Sequence, residues 1–327
     1  MRSLSSAAAL AAVLSALAGV VLGRPAQAQE TYPSQTIKLM VPNPAGGLPD
    51  TVARIVGRRL QERLQQSVVI ENRPGANGRV AVAALIGAPA DGYTLLVTDG
   101  SILTINPQLY ANLTYDTKDI LPVAMLARAP LFLAVHPKVP AATMSELIAY
   151  AKAHPGKINY GSSGMGSTHH LSMEAMAAAL KLSMIHVPFK GTGESVPALL
   201  GGHIEVLFSA YPSLSGAADG NQVKLLATNG AGRSAQAPNL PSLAEFIPGF
   251  DFAPVIGIFA RAGTPPAVVQ KLAGEALAAV KEAGLIKQLA VVGVESAGAG
   301  PQEFASVLQA EAKRVASAVE AAGIKAK

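Results

Sequence analysis

Two periods of hydrophobicity alternate along the chain. Short apolar runs of strand length, TIKLMVP, SVVIEN, TLLVTD, LFLAVHP, KINYGSS, MIHVPF, IEVLFS, VKLLATN and VIGIFAR, read as strands buried on both faces, as parallel sheets require. Between them TVARIVGRRLQERL, MSELIAYAKAH, LSMEAMAAALKL and ESVPALLGG carry apolar residues at helical spacing. Pro and Gly pairs in ENRPG, ADGY and HPGK mark the joints. The order is βαβα, which predicts an α/β fold with parallel sheets. Two long helices, over 265–290 and 301–323, are expected to close the chain, and no internal repeat stands out.

The first residues break this pattern. Arg2, an apolar run from Ala7 to Gly23 and then Ala26, Gln27 and Ala28 have the order of a cleavable secretory signal over residues 1–28. A membrane anchor is the rival, since the run approaches the ~17–20 residues that span a bilayer, but Ala-x-Ala and the polar QETYPSQ favour cleavage. Cleavage would take the formal charge from +5 to +3, which is mildly basic and no nucleic-acid footprint. There is no block of Lys and Arg and no Trp. The absence of Cys excludes disulfides, thiolate metal sites, a cysteine nucleophile and a lipid-modified cysteine, so a free, soluble exported protein is expected. The remaining length suits two domains.

In open parallel sheets ligands sit beyond the carboxyl ends of strands, on loops that lead into helices. PAGGLPD before TVARIV, YGSSGMGSTHH before LSMEAM and FKGTGES before VPALLGG each place Gly and hydroxyl residues where the free amides of a helix start point outward. Those amides and the helix dipole favour an anion. None of the loops ends in the Gly-Lys-Ser/Thr of a P-loop, Gly46-Gly47 does not fit G-x-G-x-x-G, and Gly161 to Gly164 has the wrong spacing for G-x-S-x-G. Neutral loops of this kind suit a carboxylate that is held and then released.

VPNPAGGLPDTVAR, ENRPGANG, ADGYTLL, NYGSSGMGSTHHLSMEAM, HVPFKGTGESVPALLGG, the run from Leu240 to Glu245 and GIFARAGTPPAVV resemble, in this order, the extracytoplasmic solute receptors of tripartite tricarboxylate transporters, the Bug or TctC-like family. The similarity covers the chain after residue 28. It implies a two-lobed α/β periplasmic binding protein of type II topology with a ligand cleft between the lobes. Lobe 1 would be 29–128 and 230–327, lobe 2 129–229, with crossings near Ala127–Pro130 and Asn229–Ser234. The implied partners are a small carboxylate and the membrane permease subunits of the transporter. A monomer is expected, with no cofactor, no metal and no nucleic acid.

Carried over by position, the resemblance assigns Pro44, Ala45, Gly46, Gly47, Leu48, Pro49 and Asp50 to one ligand loop. It assigns Ser162, Ser163, Gly164, Gly166, Ser167 and His169 to the other. Phe189, Lys190 and Gly191 would form the rim, Ser209 would lie in the cleft, and Thr98 to Ser101 would line the side of lobe 1. The chain departs from the family pattern at three places. Leu48 and Pro49 stand where small polar residues are common, Phe189 where Tyr is frequent and Ser209 where Asp is frequent. All three changes remove polarity, which implies a ligand with an apolar or aromatic body and one or two carboxylates, unlike citrate. The loss of an acid at 209 also argues against an amino acid.

Other readings of the same residues stay open. The glycines serve tight turns in any loop, and Asp50 is a favoured N-cap type. His169, His170 and Glu174 could seat part of a metal site, although adjacent helical histidines diverge. A neutral imidazole donating to the ligand suits one of the pair, and Lys190 is a candidate counter-ion that a solvated position would equally explain. Arg54, Arg58, Arg59 and Arg63, with Glu62 among them, read as a solvated face or a docking surface. An exported α/β hydrolase using Ser163 or Ser167 with His169 is a rival activity, as is an anion receptor for an ATP-driven transporter.

Overall fold

The computed structural model describes residues 32–326, and the expected signal over 1–28 lies outside the described residues. From residue 35 onward two sheets carry the architecture. The first begins with β1 (Ile37–Val41), helix α1 (Leu48–Leu64), β2 (Val68–Asn72), α2 (Arg79–Gly87) and β3 (Thr94–Asp99). Two single-turn helices follow, α3 (Ser101–Thr104) and α4 (Asn106–Leu109), and then β4 (Ile120–Arg128). The second sheet is built from β5 (Leu131–Val135), α5 (Met144–Ala153), β6 (Ile158–Ser162), α6 (Thr168–Leu180), β7 (Met184–Pro188), α7 (Thr192–Leu200) and β8 (Val206–Ala210). It closes with α8 (Ser215–Asp219) and β9 (Lys224–Thr228). The chain then returns through β10 (Val255–Arg261), α9 (Pro266–Val280), α10 (Ala283–Val291), β11 (Glu295–Ala299) and α11 (Pro301–Ala321).

The strand orders are β11-β4-β10-β3-β1-β2 and β7-β6-β8-β5-β9. The expectation of purely parallel sheets is corrected: both are mixed. β1 runs parallel to β2 and β3, but β10 is antiparallel to β3 and β4. Likewise β6 is parallel to β7 and β8, while β5 is antiparallel to β8 and β9. The antiparallel strands flank the two passages between the sheets: β4 leads into β5, and β10 is the first strand after the return.

The segment of the return packs with the second sheet. Leu243, Phe250 and Phe252 pack into the core of the second sheet with Leu133, Tyr160 and Phe208. Helix α11 joins both cores: Phe304 and Leu308 pack with Met40, Leu96 and Phe259 of the first, Val315, Ala318 and Val319 with the second. The single long helix expected over 265–290 is two helices, because Glu282 adopts an extended backbone (ψ 129°) and precedes α10. There it takes the guanidinium groups of Arg59 and Arg63, while Arg63 also pairs with Glu275 at 2.9 Å. Arg59 and Arg63 therefore clamp α1 onto α9 and α10. Arg58 stays 85% exposed.

Candidate functional site

Loops that follow strands of both sheets meet in one cleft of about 730 Å³. On the first side the loop after β1 reaches the cleft through Pro42, Asn43, Pro44, Leu48 and Pro49. Gly46 holds φ at +85°, a left-handed value that an L side chain resists. Gly47 has an ordinary extended conformation and is itself the N-cap of α1, without a side-chain cap. This corrects the expectation that Asp50 caps the helix: Pro49 is tolerated in the first turn, so α1 starts two residues before the acid.

Asp50 works behind the loop. It is 2% exposed and accepts from Gly46 N–H (2.9 Å), Arg54 Nε (2.9 Å) and Asn72 Nδ2 (2.8 Å). Asn72 Nδ2 also donates to Asn43 O at 3.0 Å, which ties β2 to the same loop. Burial pushes the Asp50 carboxyl up, but donation from Arg54, Gly46 and Asn72 outweighs it and holds the group below the usual carboxylate range. An ionised, saturated carboxylate thus fixes the loop without lining the cleft.

On the second side Ser163, Met165, Gly166, Ser167, Thr168 and His169 line the cleft. Ser167 is the N-cap of α6, accepting from His170 N–H at 3.3 Å. Gly166 has φ +75°, a left-handed value that an L side chain resists, and a Cβ there would meet Leu109 Cδ1 of α4 at 2.5 Å, so a larger residue would have to displace that side chain. Beneath this loop lies a stack of rings. His170 lies 3.9 Å from His186, which lies 4.9 Å from Tyr160, all nearly coplanar in orientation. His170 Nδ1 accepts from Gly166 N–H (3.1 Å), His186 Nε2 is 2.7 Å from Ser162 Oγ, and Ser162 Oγ accepts from Gly164 N–H (3.1 Å). Tyr160 Oη donates to Glu174, and burial raises the Tyr160 hydroxyl well above its ordinary range.

Desolvation pulls His169, His170 and His186 each down to about 4, so all three imidazoles are neutral near pH 7. Nδ1 of His170 is an acceptor and carries no proton in the folded state. His170 Nε2 lies 3.7 Å from Glu174. Among the described residues no group of three or more His, Asp or Glu could hold a metal ion.

The third helix start reaches the cleft through Thr192, the first residue of α7. Its neighbours do not. Phe189 packs among the cluster around Phe132 and Leu199, and the Lys190 side chain is exposed while its N–H donates to Glu194 at 3.1 Å. Ser209 is fully buried in β8 below the cleft, and its Oγ has no hydrogen-bond partner. Asp50 and Ser162 are buried outside the lining, and Ala45, Gly46 and Gly47 do not line the cleft either, the first two being exposed. Thr98 and Ser101 do line the cleft, as expected, together with Asp99.

The lining also includes Pro74 to Gly78 after β2, and Ile102, Ile105, Asn106 and Leu109 of the single-turn helices, none of which was expected. ENRPGANG ends a strand with Pro-Gly, and Asn77 holds φ 51°; that was the available signal. Ala129, Leu131, Pro254 and Ile256 add the passages between the sheets to the wall. Ser163 Oγ is buried without a partner, and Ser167 Oγ accepts the His170 backbone amide, so the hydrogen bonds here do not assemble a serine–histidine pair with His169.

The sequence profile described as the tripartite tricarboxylate transporter family receptor matches residues 52–324. The chain belongs to that receptor family. Protein BugT of Bordetella pertussis is 32% identical over 91% of this receptor and 92% of its own length. Among solved structures, an R. palustris protein with adipate is 31% identical with a TM-score of 0.77, covering 90% of this receptor and all of that chain. A second, MatC from Rhodopseudomonas palustris with bound malate, is 29% identical with a TM-score of 0.69, covering 88% and 100%. Receptors of this family have two lobes and bind solutes. Among the described residues no helix of this one is long and apolar enough to cross a membrane.

Proposed function

We propose that this receptor captures a small carboxylate in the cleft after export to the periplasm, without turning it over, and delivers it as a monomer to the membrane permease subunits of its transporter. The observation that carries the reading is the convergence of three helix starts, at Leu48, Thr168 and Thr192, on one cleft. Their free amides and dipoles attract an anion without a fixed counter-ion, which keeps release easy. Adipate and malate in the two similar structures are both carboxylates.

In this reading Ser163, Ser167 and the neutral His169 donate to the ligand, and the loop before α1 supplies the backbone amide of Leu48, since those of Gly46 and Gly47 are engaged by Asp50 and Pro44. Leu48, Pro49, Ile102, Ile105 and Leu109 form an apolar wall that favours an aliphatic or aromatic body over a hydroxyl-rich one. Closure bends the chain at Ala129–Pro130 and at the return before β10, the latter set near Pro254 by the packing of Phe250 and Phe252. Mass spectrometry of small molecules that copurify with the protein, followed by calorimetry with the compound found, tests this. A carboxylate bound one to one and recovered unchanged is expected; a product of turnover or a ligand without a carboxylate overturns it.

A further inference from the structure

The charge of the cleft wall is uneven in a way the carboxylate reading does not use. Among the described lining residues none is Lys or Arg, His169 is neutral, and the one ionisable acid is Asp99. The cations nearby in sequence are engaged outside the wall. Arg54 pairs with Asp50, and Arg79 sits 4.4 Å over the Tyr110 ring and donates to Ala76 O. Asp99 ends β3 opposite Ile256, another wall residue, and its Oδ1 accepts from Ser101 N–H at 3.0 Å and from Ser101 Oγ. Among the described residues Oδ2 has no such partner.

The helix starts supply partial positive charge for one carboxylate. A second carboxylate would find no cation and would face Asp99, whereas a hydrogen-bond donor would find an acceptor. Behind Asp99 the carboxyl of Glu311 in α11, whose Oε2 is buried without a partner, is raised to about 7 by burial and by the Asp99 charge, so this corner already resists further negative charge. The argument from Ser209 against an amino group does not apply, because that serine lies below the cleft and an acid stands in the wall at 99.

We propose that Asp99 sets specificity: the ligand carries one carboxylate and, in place of a second, a hydrogen-bond donor such as an ammonium or hydroxyl group that Asp99 accepts. The inference rests on the cleft being the binding site of a carboxylate receptor. It assigns the substrate class as amino or hydroxy monocarboxylates with an apolar body, and it makes dicarboxylates of the same length poor ligands.

Calorimetry on the whole protein with matched acids of four, six and eight carbons decides it. At six carbons the set is hexanoate, adipate, 2-aminohexanoate, 6-aminohexanoate and 6-hydroxyhexanoate. In at least one set a donor-bearing acid binds tenfold or more tighter than both the plain acid and the diacid. Asp99→Asn keeps an acceptor for Ser101 while removing the charge; there the ammonium advantage falls at least tenfold and the diacid gains. If the diacid binds as tightly as the donor-bearing acids in the unaltered protein, or if Asp99→Asn leaves the ranking unchanged, the assignment to Asp99 fails and the carboxylate reading survives. If no acid of any set binds, both fail.

Discussion

The two loops that face each other across the cleft look alike in sequence, since both are Gly-rich and precede a helix, yet they are held by opposite chemistry. The Pro44–Leu48 loop hangs on an ionised acid: Asp50 is buried, saturated by three donors and held below its usual range by them. The Ser162–Ser167 loop hangs on neutral rings: His170 and His186 accept or share hydrogen bonds with Gly166 and Ser162 and are kept uncharged by burial. A carboxylate organiser can anchor several donors at once, and here donation from Arg54, Gly46 and Asn72 keeps it ionised. An imidazole stack needs no counter-ion, because it is neutral. The second solution leaves the loop sensitive to acid, and the first leaves it sensitive to loss of one residue.

The largest expected effect follows from removing that one residue. Asp50→Ala strands the Gly46 amide, the Asn72 amide and the Arg54 guanidinium together. Breaking a fully buried pair costs about 3–5 kcal/mol. Arg54 is 52% exposed, so screening reduces the loss to about 2–3 kcal/mol of stability. Ligand affinity should fall at least tenfold, because Gly46 is no longer pinned in its left-handed conformation. Asp50→Asn, which keeps the shape and one acceptor, should lose about 1 kcal/mol. Urea titration and calorimetry on both variants separate charge from shape; an Asp50→Asn variant as stable as the unaltered protein would mean that the carboxylate's charge has no part in holding the loop.

How much of this was legible beforehand differs by element for physical reasons. The three helix-start loops announced themselves because glycine and hydroxyl residues cluster where a strand hands over to a helix. β4 was missed because Pro122 interrupts ILPVAMLAR; in the sheet it pairs with Phe259 beside a register shift, where the missing N–H is tolerated. β11 was missed because ESAGA has no apolar alternation, and it too carries a register shift. The ring stack was invisible because Tyr160, His170 and His186 lie on three different elements, and spacing along one element says nothing about which side chains meet across a sheet. Phe189 and Lys190, expected at the rim, lie next to a lining residue at 192 without lining the cleft themselves: Lys190 is exposed and Phe189 packs against a core cluster.

A smaller effect probes the imidazole side. A histidine held at about 4 when folded and 6.5 when unfolded takes up a proton on unfolding between those values. Its contribution is complete above pH 6.5 and is lost as the pH falls. His186→Phe keeps a stacking ring and removes the titration. The variant starts less stable at pH 6.5, lacking the bond to Ser162, but loses about 1.5 kcal/mol less than the unaltered protein on going to pH 5. Parallel stability curves for the two proteins over that range would show that His186 does not set the acid sensitivity.

The smallest effect runs in the reverse direction and comes from a carboxyl on the first side that is shifted the opposite way to Asp50. Glu311 lies beside Gly100, receives a hydrogen bond from Thr104 at 3.1 Å through Oε1, and has no partner on Oε2. Burial and the charge of Asp99 raise it to about 7, against 4.5 for an ordinary glutamate. The folded protein therefore holds a proton that the unfolded chain releases between those values, so this group's contribution is complete below pH 4.5 and is lost as the pH rises through 7. Glu311→Gln, neutral at every pH and able to accept from Thr104, should remove that dependence. Between pH 6 and 7.5 it should spare the protein about 1 kcal/mol of stability loss, read as a rising difference in melting temperature. A constant difference across the range would mean that the carboxyl is ionised throughout, and that burial without a cation does not suffice to neutralise an acid behind this cleft.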